Sequence, residues 1–282
     1  MGRVTRFNNM ANLSRINYIK LFLSATHNIN AASVSTTTMT ANTSILGENK
    51  MLPIKSKMME KLYGLKASNH VYKLLQELDP EFNEEIQRIA YDHYWKLPGL
   101  SIRDKSLVTV VSLIASCKEE QTKIHINGFL NLGGTKEDIL NVLIYLIEII
   151  GLDSIKKSFE ALCEVLKERN EKNEVIQEIN ILFTKKIKNI DIEKLNAILS
   201  KRDRYIINIA SCVAIGEQGK IRNSIKDFLT GSECSKDDLK NILIHQIVYC
   251  GFPAVMNGFT ALKNVLDDNR IMENNNKLKA KL

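Results

Sequence analysis

The chain has 282 residues, which allows one large domain or two small ones. Hydrophobic residues make up 44% and charged residues 25%, so a globular core is expected without a metal or disulfide framework. The net charge is +7, but residues 1–47 contain no Asp or Glu and account for much of the excess. The nearly neutral remainder argues against a nucleic-acid partner.

The cysteines and the apolar segments indicate in which cellular compartment the protein is found. The chain has five cysteines, which form no CxxC pair and lie mostly in apolar segments, so buried free thiols in a reducing compartment are expected. The longest apolar run, residues 139–150, contains Glu148 and falls short of the roughly eighteen apolar residues of a membrane span. We therefore expect a cytoplasmic protein without a membrane partner.

Residues 1–55 are predicted to form a disordered or targeting-like N-terminal arm, because they are rich in Asn, Ser and Thr. Lys20 interrupts the one apolar patch, which is too short for a secretory signal peptide. A mitochondrial-type segment fits better, and an upstream start codon, with Met10, Met39 or Met51 as the true start, is a further alternative. Organelle targeting or export by this arm stays open.

An internal repeat organises the rest of the chain. Leu100-Ser-Ile-Arg-Asp matches Leu199-Ser-Lys-Arg-Asp at an offset of 99 residues. After one inserted residue, Thr135-Lys-Glu-Asp-Ile matches Ser235-Lys-Asp-Asp-Leu at an offset of 100. The kept register predicts a tandem duplication, with repeat 1 at residues 70–169, repeat 2 at residues 174–268 and a polar tail at residues 269–282.

Both repeats are predicted to be helical. Residues 107–130 contain few turn formers and are expected to form one long helical segment. Thr135 and Ser235 are predicted N-caps, each followed three residues later by an Asp in a short version of the capping box. Gly151 and Gly251 are predicted to end or bend helices. Because the chain shows no alternating strand pattern, we predict an all-α fold in which the two repeats pack as a pseudo-symmetric pair.

The motifs in these repeats resemble those of the carboxymuconolactone decarboxylase family. Trp95-Lys-Leu-Pro-Gly-Leu-Ser-Ile-Arg-Asp-Lys-Ser-Leu and Cys117-Lys-Glu-Glu-Gln-Thr-Lys-Ile-His125 are similar to the family's W-x-x-P-G-L-x-x-R-x-R-S-L and G-R-E-E-E-L-x-x-H. His245-Gln-Ile-Val-Tyr-Cys-Gly-Phe-Pro is similar to its closing H-x-x-x-Y-x-G-x-P. The resemblance covers roughly residues 78–267. It implies an alkylhydroperoxidase D-like helical bundle and a homo-oligomeric ring, for which a trimer of this duplicated chain is expected.

The family comprises two chemistries. Members similar to alkylhydroperoxidase D use a CxxC pair with a His four residues after the second Cys, but here those positions hold Lys118 and Gln121. Cys117 lies nearby, out of register and without a second thiol, which disfavours a thiol peroxidase. The resemblance thus implies the decarboxylase-like branch, which uses no cofactor or metal and acts on a small carboxylated lactone or related acid.

His125 occupies the position of the family's active-site His, so the resemblance implies that it transfers a proton, as an imidazole titrating near neutrality can. Glu119 and Glu120 are the other candidate catalytic residues, with a solvated helix face as the alternative interpretation. Gln121 replaces the family's third acid, so a neutral amide stands where a carboxylate would reach the ring. The alternative for His125 is a His of the core or surface without catalytic function.

Five residues are candidates for binding the substrate: Arg103, Lys118, Gln121, Trp95 and His245. Arg103 is suited to clamp a carboxylate, but its repetition as Arg202 favours a structural ion pair with Asp104 or a facing acid. Lys118, like Lys123, is a weaker candidate for steering an anion. His245 is expected at a site across the repeat junction or between subunits, and Trp95 in a pocket or in the core.

Repeat 2 has lost the candidate catalytic residues. Ser224 stands where His125 would be and Gly219 where Glu120 would be, so at most one kind of site per chain is expected. This loss keeps a second hypothesis open, namely a non-enzymatic or vestigial scaffold that binds a small molecule or a partner protein. A proton-transfer pair beside His125 in a closed pocket favours the enzyme, whereas apolar surroundings without a cavity favour the scaffold.

Overall fold

The computed structural model describes residues 55–190, 192–231 and 233–279, without the side chains of 192, 194, 195 and 269–279. The predicted arm therefore lies, except for its last residue, outside the described residues. In the described ranges the chain is helical and contains no β-strand, which confirms the predicted all-α fold.

Helices follow one another with short connections. Ahead of the first matched motif, which begins at Leu100, the chain forms α1 Lys57–Tyr63, α2 Leu65–Leu78 and α3 Pro80–Glu85, then a π-helix at Ile86–His93 and a 3₁₀ turn at Tyr94–Lys96. A first set of four helices follows: α4 Ile102–Ala115, α5 Glu119–Asn131, α6 Lys136–Ile150 and α7 Leu152–Glu168. Next come α8 Asn173–Lys188 and α9 Ile192–Ile198. The second set of four comprises α10 Lys201–Ile215, α11 Gln218–Thr230, α12 Lys236–His245 and α13 Ile247–Lys279.

The order α4–α7 recurs as α10–α13, and the two sets share one hydrophobic core. α4 and α10 pack against each other at the centre of the molecule. α4 is buried all around from Asp104 to Ala115, as expected for a helix enclosed by both repeats. This arrangement confirms the predicted packing of two tandem repeats as a pseudo-symmetric pair.

Reciprocal ion pairs join the N-terminal ends of α4 and α10. Arg103 donates hydrogen bonds to both carboxylate oxygens of Asp203, at 2.6 and 3.1 Å. Arg202 in turn donates to Asp104 at 3.0 Å and to Asp238 at 2.8 Å. The facing acid expected as a structural partner of Arg103 is therefore Asp203.

The predicted helix starts and bends are confirmed. The side chains of Thr135 and Ser235 each accept a hydrogen bond from the N–H three residues later, and both capping boxes are complete. Gly151, at φ 84°, ends α6, and Gly251, at φ 77°, bends α13. Both glycines lie in the left-handed region, which residues with a side chain rarely adopt.

The single helical segment predicted over residues 107–130 is wrong, because α4 ends at Ala115 and α5 begins at Glu119. Cys117 adopts a left-handed conformation with φ 54°. The N–H of Lys118 donates to the carbonyl of Leu113, and the N–H of Cys117 donates to that of Ile114. These two bonds form a Schellman motif that ends α4, with a Cys at the position where Gly is usual.

Candidate active site

His125 lies on α5 and is 3% exposed. Two tyrosine rings pack against it in T-shaped arrangements: Tyr249 from repeat 2, with ring centroids 5.0 Å apart, and Tyr63 from α1, at 6.1 Å. α1 packs on α5, where Leu62 lies next to Gly128. The active-site position of repeat 1 is therefore enclosed by residues from outside that repeat.

Hydrogen bonds extend this group of rings. Trp95 Nε1 donates to the Tyr249 hydroxyl at 2.7 Å, and the hydroxyls of Tyr63 and Tyr91 lie 2.7 Å apart. Thr109 Oγ1 lies 3.0 Å from Nε2 of His245, whose ring meets that of Trp95 edge-on at 5.0 Å. We call these seven residues the junction cluster: Tyr63, Tyr91, Trp95, Thr109, His125, His245 and Tyr249. His245 thus lies in this cluster, between repeat 1 and repeat 2.

Burial sets the charge of the junction cluster. Burial lowers the pKa of His125 to about 3, so the ring is neutral at neutral pH. The expectation that His125 titrates near neutrality is therefore corrected, since no described charge offsets its desolvation. Burial, with the nearby charge of Lys105, also lowers the pKa of His245 to about 3. Burial raises the pKa of Tyr63, Tyr91 and Tyr249, whose hydroxyls stay protonated.

The two imidazoles retain unused hydrogen-bonding capacity. Neither ring nitrogen of His125 bonds to a side chain or backbone group in the described ranges. Nδ1 of His245 is buried and has no hydrogen-bond partner of good geometry among the described residues. The backbones of Tyr94 and Lys105 lie near enough to offset part of the lowering of the pKa of His245. The junction cluster is therefore a neutral set of donors and acceptors with free positions on both rings.

Two lysines border the junction cluster. Lys105 is buried, and its Nζ donates to the carbonyl oxygen of Trp95 at 2.8 Å and to that of Leu97. This ammonium holds the turn that carries Trp95, and burial lowers its pKa. Lys118 is exposed at the start of α5, and its Nζ donates to the backbone carbonyl of Tyr249. A cation therefore lies at the solvent side of the cluster.

The predicted carboxylates lie away from the His125 ring. Glu119 is exposed and pairs with Lys157 at 2.6 Å, and Glu120 is exposed on the first turn of α5. Gln121 is half-buried, one helical turn before His125. Among the described residues, no acid forms an ion pair with His125.

The other predicted cations are already paired. Arg103 is paired with Asp203 in the reciprocal ion pairs between α4 and α10. Lys123 binds Glu164 and Glu168, each at 2.8 Å. Of the predicted substrate-binding residues, the structure places Trp95 and His245 in the junction cluster. Lys118 contacts the cluster at the backbone of Tyr249, and Gln121 lies on α5.

Sequence reasoning missed Tyr63, Tyr91, Thr109 and Lys105. Tyr63 and Tyr91 precede the matched motifs, which begin at Leu100. Comparing the two repeats therefore gave no matching residue in repeat 2 for either tyrosine. A usable signal was the asymmetry between the repeats, as at Tyr249, where the matching position of repeat 1 holds Ile149. Such a replacement adds a polar group to a core position, which indicates a site.

A cavity of about 250 Å³ lies beside α5, between the beginnings of α5 and α7. Its lining includes Cys117, Glu119, Ser154 and Lys157 but no residue of the junction cluster.

Within the described ranges, no group of three or more His, Cys, Asp or Glu side chains is placed to hold a metal ion. No helix of the described chain is long and apolar enough to cross a membrane.

Comparison with known proteins identifies the family. The profile of the carboxymuconolactone decarboxylase family matches residues 80–164 and again residues 185–264. The chain is also similar to the 4-carboxymuconolactone decarboxylase of Acinetobacter baylyi, with 28% identity over 105 residues, which cover 37% of this chain and 78% of that protein. Two matches in one chain are what a tandem duplication predicts. The chain therefore belongs to the carboxymuconolactone decarboxylase family, as a tandemly duplicated member without a CxxC pair.

Proposed function

We propose that this protein is a cofactor-independent carboxy-lyase that acts on a small carboxylated lactone or a related acid. The observation that carries the proposal is the enclosure of a neutral His125 by the hydroxyl-bearing rings of Tyr63 and Tyr249. The similarity to a 4-carboxymuconolactone decarboxylase supports the choice of substrate class.

The proposed reaction is a decarboxylation in which the protein stabilises an oxyanion and supplies a proton. The bond between the ring carbon and the carboxylate breaks, carbon dioxide leaves, and the electron pair moves into the unsaturated lactone to give a dienolate. A proton then adds to a ring carbon. Donors fixed around the developing oxyanion lower the barrier, because their orientation is already set before the reaction. The N–H of His125 and the hydroxyl of Tyr249 are the donors that this proposal assigns to that task.

In this scheme His125 takes its proton from solvent only when the substrate anion binds. A buried carboxylate near the imidazole favours its charged form and raises its pKa from the low value that burial imposes. His125 then takes up a proton as the anion binds, and it delivers that proton to carbon after carbon dioxide has left. Lys118 guides the anion from solvent, while Trp95 and His245 form the wall. Glu119 and Glu120, both exposed, are assigned no step.

The test is turnover of 4-carboxymuconolactone by the full chain, followed by ultraviolet absorbance. His125→Ala is expected to lower kcat by on the order of a hundredfold or more. His70→Ala, which changes an exposed His on α2, is the matched control and is expected to leave turnover unchanged. Turnover that survives in His125→Ala would remove His125 from the mechanism.

One observation favours a second candidate, a scaffold that binds a small molecule without reaction. No carboxylate in the described part of the chain forms an ion pair with His125, so the pair that would favour proton transfer is not found there. Trp95 is the single tryptophan and lies in the junction cluster, so its fluorescence reports binding there. A saturable fluorescence change with carboxylated lactones, but without turnover, would support the scaffold and contradict the lyase.

A further inference from the structure

The C-terminal half of α8 presents an exposed surface that is apolar and basic. Ile181 is 69% exposed, and Leu182 beside it is also exposed. Lys185 and Lys188 follow Ile181 by four and seven residues, so the three side chains lie on one helix face. They line a shallow groove of about 460 Å³. We call Ile181, Leu182, Lys185 and Lys188 the basic shelf.

The lysines of the basic shelf are available to a partner. Neither Lys185 nor Lys188 forms an ion pair with a described residue, although Lys186 between them donates to Asn141 at 3.0 Å. The acids of α8, Glu174 and Glu178, lie in its N-terminal half. The exposed end of the helix is therefore positive around two apolar side chains, and a complementary surface is apolar and acidic.

Such a surface exists on the same chain, where α2 meets α3. Phe82 is 47% exposed and Leu78 is exposed as well. Three exposed acids surround them: Glu77, Glu81 and Glu84. We call these five residues the acidic patch. Its neighbours are engaged, since Asp79 caps α3 and Glu85 binds Arg88, but no ion pair to a described residue neutralises the three glutamates.

The two surfaces belong to separate parts of the fold. α8 packs on α6 and α7, whereas α2 packs on α1 and α3, and α3 packs on the π-helix. Within the described ranges, no ion pair connects the acidic patch to the basic shelf. The charges of both surfaces are therefore not neutralised by the described residues of one copy, and contact between two like surfaces is disfavoured by repulsion.

We propose that the acidic patch of one copy docks on the basic shelf of a second copy. The contact would bury Leu78 and Phe82 against Ile181 and Leu182, with the glutamates facing Lys185 and Lys188. Because it joins two different surfaces, the contact is head-to-tail and either closes into a ring or extends. A ring of three would be the trimer expected from the family resemblance. The proposal goes beyond the lyase activity and does not depend on it.

Charge reversal in the full chain tests the contact by sedimentation equilibrium at low and high ionic strength. The shelf variant is Lys185→Glu with Lys188→Glu, and the patch variant is Glu81→Lys with Glu84→Lys. The control, Lys201→Glu with Lys226→Glu, changes two exposed lysines outside both surfaces. A fourfold variant that combines the shelf and patch changes restores opposite charges across the contact. Circular dichroism verifies that all variants are folded.

We expect the native chain and the control to associate at low ionic strength, and less strongly at high ionic strength. Each single-surface variant should raise the dissociation constant by on the order of tenfold or more. The fourfold variant should recover association. A native chain that is monomeric at low ionic strength overturns the proposal. So does an assembly that either reversal leaves unchanged, or one that the fourfold variant fails to recover.

Discussion

Arg103 binds Asp203, a residue 100 positions further along the chain, through both of its carboxylate oxygens. Asp203 follows Arg202 in the second copy of the motif, and Arg202 binds Asp104, which follows Arg103. Each Arg-Asp dipeptide thus pairs with the other one. The duplicated motif holds the two repeats together, which accounts for its presence in the half that has no counterpart of His125.

We therefore expect Arg103→Ala to lower the free energy of unfolding by about 1–2 kcal/mol. The change removes a bidentate pair and leaves the largely buried Asp203 carboxylate without its partner, while the 41% exposure of Arg103 limits the loss. Urea unfolding measures the effect. Arg88→Ala, which breaks an exposed pair with Glu85, is the control and should cost less than about 0.5 kcal/mol.

A double-mutant cycle of Arg103→Ala and Asp203→Ala isolates the pair. We expect a coupling free energy of about 1 kcal/mol between the two changes. If the two losses simply add, the ion pair contributes nothing to joining the repeats.

Sequence periodicity predicted the helices of both repeats, their capping boxes and the two glycine bends, because these depend on residues close together in the chain. It missed the break at Cys117, since a left-handed residue with a side chain leaves no glycine to mark it. Repeat 2 shows where the break lies, because Gly216 matches Cys117 at an offset of 99 residues. Gly216 also has a positive φ and ends α10. Comparing the repeats position by position would have predicted the break.

The family motif pointed to His125, but neither its burial nor its neighbours could be derived from the sequence. Tyr63 comes from a seven-residue helix outside the repeats, and Tyr249 comes from repeat 2. Their meeting depends on how helices pack, which local patterns do not determine. The low pKa of His125 follows from that packing, because desolvation is its cause.

The neutral imidazoles make stability depend on pH. Both His125 and His245 have a pKa of about 3 in the fold and near 6.5 when unfolded, so the unfolded chain binds more protons between these values. Their contribution to stability is present above about pH 6.5 and is lost as the pH falls toward 3. At about pH 5 we expect a loss of about 2 kcal/mol for each ring, measured by urea unfolding against neutral pH.

His125→Gln provides the control for this pH effect, because it removes one of the two titrating rings. The variant should lose about 2 kcal/mol less than the native chain between neutral pH and about pH 5. An identical pH dependence in both proteins would mean that His125 does not resist protonation in the fold.

The hydrogen bond from Trp95 to Tyr249 joins the start of repeat 1 to repeat 2. Tyr249→Phe keeps the ring edge against His125 but leaves the buried Trp95 N–H without its acceptor, at an expected cost of about 1–3 kcal/mol. Because Trp95 is the single tryptophan, its emission should shift to shorter wavelength. The control is Tyr94→Phe, because the Tyr94 hydroxyl has no hydrogen bond to a described group. This change should leave the emission of Trp95 unchanged. Unaltered emission in Tyr249→Phe would argue against the bond.

Gln121 stands one helical turn before His125, where the family motif has an acid, so Gln121→Glu tests the missing proton-transfer pair. A carboxylate there favours the imidazolium and should raise the pKa of His125 above its value of about 3, as measured by NMR titration. Under the proposed lyase function, turnover should rise on the order of tenfold. Gln121→Leu, similar in size but uncharged, should do neither. An unchanged His125 pKa in Gln121→Glu would show that residue 121 does not reach the ring.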